Sequence, residues 1–262
     1  MTDNVVVVTG ASEGIGAAIA ERLSRGGSSV VLAARREKRL REVASRAGSR
    51  TLAVPTDVRN RDQVDRLRNE AIAAFGRIDV WINNAGRGIT RPVLDLSDED
   101  FDEMMSINVK SALYGMQSIV PHFMERGSGH LINMSSFLGR VPIATHRSAY
   151  NAAKAALNAL TANLRMDLAL KYPGIQVSLV MPGLVSTNFA DNVLGGGGPR
   201  PWAAGGPVVV QSPDEVAEIV SDLIDKPVPE IYTNPASAAV ARRYCEDIAG
   251  FEEELRKRSG GA

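Results

Sequence analysis

"NVVVVTGASEGIG", Asn4 to Gly16, decides the fold. Its valines are apolar on successive residues instead of alternating ones, which is the pattern of a strand buried on both faces. Glycines follow at positions 10, 14 and 16. Ile15, Ala18, Ile19, Arg22 and Leu23 then fall at helical spacing until Gly26 and Gly27 stop the helix. Glycine lets the backbone turn sharply and come close to a bound group that a Cβ would obstruct. The helix start beyond the turn offers unpaired N–H groups and a partial positive charge, a ready seat for pyrophosphate. The spacing is G-x-x-x-G-x-G and not the common G-x-G-x-x-G fingerprint. A packed strand–turn–helix joint also wants glycine, so the turn alone leaves a structural role open.

The alternation begun here continues along the chain. Residues 28–35, 50–57, 77–86, 129–136 and 174–183 read as further strands, and 229–235 as a weaker seventh. Glu37 to Ala47 is charged, with Leu40, Val43 and Ala44 on one face, and Val64, Leu67, Ala71 and Phe75 mark an amphipathic helix that Gly76 ends. Long helices are expected around Met104–Met124 and Ala152–Leu170. Ser97-Asp98-Glu99-Asp100 resembles a capping box, and Ser212-Pro213-Asp214-Glu215 is a cleaner one. Repeated strand–helix units predict an α/β fold, a doubly wound parallel sheet with helices on both faces. Ligands then bind along the C-terminal strand edge. No internal repeat or interdomain linker is visible, so residues 1–262 are read as a single domain. "GGGGPRPWAAGGP" (195–207) is either a spacer or part of a lid over about 188–212, and its place after the sixth strand favours the lid. Residues 236–262 read as one helix fading into a charged, frayed end.

Composition excludes several classes. With 30 basic and 30 acidic residues the formal charge is zero, which gives no long-range pull toward nucleic acid or anionic lipid. Cys245 is the lone cysteine, so no intramolecular disulfide is possible and a reducing compartment fits. His122, His130 and His146 have no ligand-like spacing, and no metal site is expected. The chain enters its first strand without a basic leader, and no apolar run reaches the roughly 18–20 residues of a membrane span. A cytoplasmic protein is expected.

"SSFLGRVPIATHRSAYNAAKAALNAL" (135–160) carries the chemistry. Tyr150 and Lys154 are four apart at the head of a helix and therefore share a face. A free tyrosine titrates near pH 10. A neighbouring cation lowers that and turns the phenol into a usable acid in one direction and base in the other. "TGASEGIG" (9–16), "NNAG" (83–86), Asn108, the Ser136/Tyr150/Lys154 set and the Pro182-Gly183 pair occur in a fixed order. In this they resemble the short-chain dehydrogenase/reductase family, in its branch of roughly 250-residue enzymes. The likeness runs from about Val5 to Tyr232.

The resemblance implies a Rossmann-type fold with a seven-stranded parallel sheet in which cofactor and active site share one domain. It makes Tyr150 the acid/base, Ser136 (with Ser135 as competitor) the hydrogen-bond partner of the substrate oxygen, and Lys154 a holder of the nicotinamide ribose. Asn108 would keep a water in a proton relay or, alternatively, cap a helix. Ser12 and Ile15 join Gly10, Gly14 and Gly16 around the pyrophosphate. Asp57 and Val58 would meet the adenine. Asn83, Ala85 and Gly86 would line the adenosine side, unless Asn83 chiefly ties strands together. Pro182, Gly183, Val185 and Thr187 would embrace the nicotinamide. His146 either touches substrate or is an exposed loop residue, the second being the default.

Cofactor choice is written after the second strand. An acid there favours NAD, whereas arginine favours the 2′-phosphate of NADP. This chain has Ala34 followed by Arg35 and Arg36, so NADP(H) is expected, Arg35 being the better contact. The expected activity is an oxidoreductase interconverting a ketone or aldehyde and an alcohol. Two alternatives stand beside it: a catalytically silent NADP-binding scaffold or sensor, and an epimerase or dehydratase. Phe137, Leu138, Val141, Ile143, Phe189, Val193 and Trp202 hint at a lipophilic carbonyl substrate. The resemblance also implies a homodimer or homotetramer packed through the two long helices.

Overall fold

A computed structural model describes residues 3–189, 193–196 and 209–259. Strand β1 (Val5–Thr9) leads into α1 (Gly14–Arg25), followed by β2 (Ser29–Ala34), α2 (Glu37–Ala47), β3 (Thr51–Pro55), α3 (Arg61–Phe75) and β4 (Val80–Asn83). Next come α4 (Asp98–Met105), α5 (Ser111–Arg126), β5 (Gly129–Met134), α6 (Ser148–Ala169) and β6 (Ile175–Met181). Two short strands, β7 (Leu184–Val185) and β8 (Val210–Gln211), precede α7 (Pro213–Asp225), β9 (Glu230–Tyr232), α8 (Ala236–Glu246) and α9 (Ile248–Ser259). Seven strands form one sheet in the order β3-β2-β1-β4-β5-β6-β9, and every pairing is parallel. This is the expected doubly wound sheet.

The valine run explains why β1 lies in the middle. Successive side chains of a strand point to opposite faces. Val7 joins the core built with α3, α5 and α6, and Val6 and Val8 join the core built with α1, α2 and α7. Both faces are covered, so all of these positions must be apolar. From β1 the chain winds outward through β2 and β3, then returns to start β4 on the other side. The crevice between β1 and β4 is therefore the switch point at which such sheets open a ligand site.

Three local readings change. The helix expected around Met104–Met124 is interrupted by a π-helical turn, Ser106–Lys110, between α4 and α5. The Ser111 hydroxyl bonds the carbonyl oxygen of Ile107 at 2.6 Å. Ser97 accepts from the Asp100 amide at 3.2 Å, but the Asp100 carboxylate goes to Arg91 at 3.3 Å and the box is not closed. Ser212 and Glu215 do close theirs.

The C-terminal segment is a helical hairpin, not a helix fading into a frayed tail. Phe251 of α9 is buried, packs edge-on against Tyr244 of α8 at 5.4 Å between ring centroids, and joins Val141 and Ala241 in a small core. An Arg243–Glu254 ion pair ties the two helices on their outer side. The charged residues hid an apolar stripe that is split by the turn at Asp247.

Candidate active site

Gly10 sits at φ +68°, a left-handed conformation that favours glycine, and a Cβ there would come 2.8 Å from the Ala85 Cα. The turn thus presses against the end of β4. The Thr9 hydroxyl accepts the amides of Asn84 and Ala85 at 3.0 and 3.1 Å, and Asn84 Nδ2 donates to the Thr9 carbonyl at 2.9 Å. These bonds fix the crevice floor. Thr9 and Asn84 escaped the sequence reading, although both lie inside motifs it used. The α1 N-cap, Glu13, gives no side-chain cap, so the first-turn amides of α1 face the crevice without an internal acceptor.

A cleft of about 820 Å³ runs from this turn across the strand ends. Gly10, Ser12, Gly14, Ile15 and Gly16 line its middle, Arg35, Arg36 and Val58 one end, and Ala85 and Gly86 its floor. Ser136, Tyr150, Lys154, Pro182, Gly183, Val185 and Thr187 line the other end. Arg36 Nη2 reaches Glu13 Oε1 at 2.5 Å and Ser12 Oγ at 3.0 Å. Arg35 is exposed and makes no ion pair among the described residues.

Three expected contacts lie off the cleft wall. Asn83 is buried in the sheet, accepting from Trp81 Nε1 at 2.8 Å and donating to Asn133 Oδ1 at 2.9 Å and to the Ala112 carbonyl at 3.2 Å. It ties strands, and its neighbour Asn84 faces the cleft. Asp57 is turned into a fork with Arg59 at 2.7 Å, and that hydrogen bond, against the opposing effect of burial, holds its carboxyl below the usual range. Asn108, on the π-helical turn, spends its amide on the Arg87 carbonyl at 2.9 Å and the Met104 carbonyl at 3.1 Å, while its Oδ1 accepts the Arg87 amide at 3.2 Å. It supports the strand end behind Gly86. A Cβ on Gly86 would meet Asn108 Oδ1 at 2.9 Å and Lys154 Nζ at 3.5 Å.

Ser136, Tyr150 and Lys154 converge at the far end. Of the two serines, Ser135 is tied into α6 through Asn158 Oδ1 at 2.5 Å. The Ser136 hydroxyl accepts the Leu138 amide at 3.2 Å, and its interaction with the Tyr150 phenol favours the phenolate. Burial raises the phenol above its ordinary pKa, and the Ser136 hydrogen bond and the Arg147 charge only partly oppose it. Burial thus outweighs the effect expected of Lys154, and the phenol is less acidic than a free tyrosine, not more. The Lys154 ammonium, 5.7 Å from the ring centroid, donates to the Met134 carbonyl at 2.9 Å and is itself pushed down to about 8 by burial.

The substrate end differs from the apolar pocket expected. Val141 is packed into the C-terminal core, Phe137 stacks edge-on against Tyr232, and Ile143 is exposed. Val193 is buried, while Trp202 and most of the expected lid lie outside the described residues. Of the described residues in that set, Leu138 and Phe189 line the cleft, Phe189 meeting the Tyr150 ring edge-on at 5.7 Å between centroids. His146 is half-buried on the cleft wall and not an exposed loop residue. Among the described residues no group of His, Cys, Asp or Glu could hold a metal, and no helix is long and apolar enough to cross a membrane.

Comparison with known proteins supports the same assignment. The family model for short chain dehydrogenases matches residues 4–195. An uncharacterized oxidoreductase of Staphylococcus epidermidis is 38% identical over 189 residues, spanning 72% of this chain and 81% of that protein. A short-chain dehydrogenase/reductase from Burkholderia phymatum, solved with NAD, superposes with a TM-score of 0.84 at 28% identity, covering 95% of this chain and 96% of that one. An alcohol dehydrogenase from the archaeon Thermococcus sibiricus, solved with 5-hydroxy-NADP, gives 0.75 at 28% identity, covering 87% and 95%. With its parallel sheet, its glycine turn and its serine, tyrosine and lysine at one end of the cleft, the chain belongs to the short-chain dehydrogenase/reductase family of oxidoreductases.

Proposed function

We propose that this single domain is an NADP(H)-dependent oxidoreductase that interconverts a ketone or aldehyde and its alcohol, with Tyr150 as acid/base. The observation that carries this reading is the convergence of Tyr150, Ser136 and Lys154 on one end of a cleft whose middle is the glycine turn.

The residues present fit a dinucleotide. The cradle against Ala85 would be filled by a Cβ at Gly10, and the uncapped start of α1 suits a pyrophosphate. Arg35 and Arg36 with Ser12 would hold a 2′-phosphate, and Pro182, Gly183, Val185 and Thr187 the nicotinamide side. When bound, the reduced nicotinamide supplies the hydride to the carbonyl carbon. The chain supplies the proton. Tyr150 Oη gives its hydrogen to the substrate oxygen as the C=O double bond becomes a C–O single bond, and Ser136 Oγ donates a hydrogen bond to that oxygen. The phenolate left behind is favoured by the Lys154 ammonium, which in turn is held at the end of β5 by Met134. Burial keeps the phenol protonated until substrate arrives.

Exposed Phe101, Met166 and Leu170 on α4, α6 and the residue that ends α6 support a homodimer or homotetramer. The test of the reaction is cofactor oxidation against a panel of ketones and aldehydes. The proposal expects net NADPH consumption, at least tenfold faster per concentration than with NADH. No consumption with any carbonyl would contradict the reductase. Equal kcat/KM for both cofactors would contradict the preference.

A further inference from the structure

Two polar groups on the substrate wall have no part in the proton transfer. Arg147 stands at the N-cap of α6, three residues before Tyr150, and is half-buried on the cleft. Its Nη1 donates to the Ile89 carbonyl at 3.3 Å, and among the described residues it makes no ion pair with a carboxylate. Its charge and the Tyr150 phenol act on each other. Beside it, His146 Nε2 is enclosed without a partner among the described residues. The backbone of both is fixed: His146 O accepts from the Arg91 amide and Arg147 O from the Asn151 amide, each at 2.8 Å. A desolvated guanidinium facing a cavity without a counter-charge is costly unless a ligand supplies one.

We propose that Arg147, with His146 beside it, is a carboxylate-binding subsite, and that the substrate is a small hydroxy or oxo carboxylate whose reacting oxygen meets Tyr150 and Ser136. This rests on Tyr150 being the acid/base. Residues three apart on a helix have Cβ atoms about 5–6 Å from each other. The carboxylate therefore lies only a few bonds from the carbonyl. Burial, then the charge of Arg147, lowers the His146 pKa, so the imidazole is neutral at pH 7 and the subsite carries one positive charge. That matches a monoanionic carboxylate, whose planar oxygens suit an arginine fork. Glu103 also lines the cleft, but Arg59 at 3.2 Å and Arg87 at 3.8 Å neutralise it. Leu138 and Phe189 leave an apolar wall for a short alkyl chain.

The experiment uses 2-, 3- and 4-hydroxy acids, each beside its methyl ester, with NADP⁺ and the full chain, and calorimetric binding of the acids to the NADP⁺-loaded protein. At least one acid should exceed its ester in kcat/KM by tenfold or more, mainly through KM. Arg147→Gln should bring that ratio near one and weaken acid binding roughly ten- to hundredfold, with Arg147→Lys between. Circular dichroism melts check that each variant folds. Equal turnover of acids and esters by the unaltered protein would overturn the subsite and leave the reductase standing, as would an Arg147→Gln loss identical for both. Arg147-dependent binding of an acid without any turnover would support the subsite and sink the reductase.

Discussion

Lys154 Nζ donates to the carbonyl oxygen of Met134 at 2.9 Å, so the ammonium is anchored to the end of β5 and held near the Tyr150 ring instead of hydrogen-bonded to the phenol. Burial lowers its pKa to about 8 from the 10.5 of a free lysine. Between those values the unfolded chain binds the proton that the folded chain releases. Stability from this group therefore rises with pH across that window, and at pH 7 the full penalty, ~3 kcal/mol, is present.

Lys154→Met should remove that penalty. Its melting temperature at pH 7 should match or exceed that of the unaltered protein, even after loss of a hydrogen bond worth about 1 kcal/mol, while kcat falls by roughly a hundredfold or more. Reduction by the unaltered protein should decline as pH rises through about 8, when the ammonium is lost. A variant that melts several degrees lower would show that the lysine is mainly structural.

Asn83 and Asn84 are adjacent and should behave differently. Asn83→Ala strips partners from Trp81 Nε1 and Asn133 Oδ1 inside the sheet and should destabilise the fold by about 2–3 kcal/mol, with little change in KM for the cofactor. Asn84→Ala loosens the crevice floor at Thr9 and should raise that KM. Denaturant melts paired with cofactor titrations separate them, and matching profiles would contradict the assignment.

Glu13 occupies Arg36, and Arg39 lies 3.5 Å from its other oxygen. Glu13→Gln should free Arg36 and raise kcat/KM for NADPH severalfold. Arg35→Ala should lower it about tenfold, the worth of one charge-assisted hydrogen bond, and leave NADH nearly unaffected. An equal loss for both cofactors would place Arg35 away from the 2′-phosphate.

His130 is buried with Nε2 against Ser178 Oγ at 2.9 Å and Nδ1 without a partner among the described residues. Burial lowers its pKa to about 4 from 6.5. The unfolded chain takes up the proton first, so stability should fall by ~3 kcal/mol as pH drops from 6.5 to 4. His130→Gln should flatten that limb in melts taken between pH 4 and 7. An unchanged limb would assign the acid sensitivity to other groups.

The sheet was legible because burial on both faces forces uninterrupted apolar runs such as Val5–Val8, and α1, α2 and α3 because glycines end them. Less was legible where tertiary contacts decide. The π-helical turn at Ser106–Lys110 has no glycine or proline to announce it. The α8–α9 hairpin depends on Phe251 finding Val141, more than a hundred positions earlier. At the site, motif order gave Ser136, Tyr150 and Lys154, but no motif distinguishes which of Asn83 and Asn84 faces the cleft. That follows from strand alternation and the bond to Thr9. The enclosure of His146 and the unpaired Arg147 depend on the Ile89 and Arg91 backbone lying across them, which spacing along the chain does not encode.

Tyr150→Phe keeps the ring packed against Phe189 and removes only the hydroxyl. Its kcat for NADPH-dependent carbonyl reduction, measured on protein with an unchanged melt, tests the central claim. Loss of the proton donor should lower kcat by about 10²–10⁴-fold while the cofactor still binds. Turnover within a few fold of the unaltered protein would mean that the proton comes from elsewhere, and the account of this site would fail.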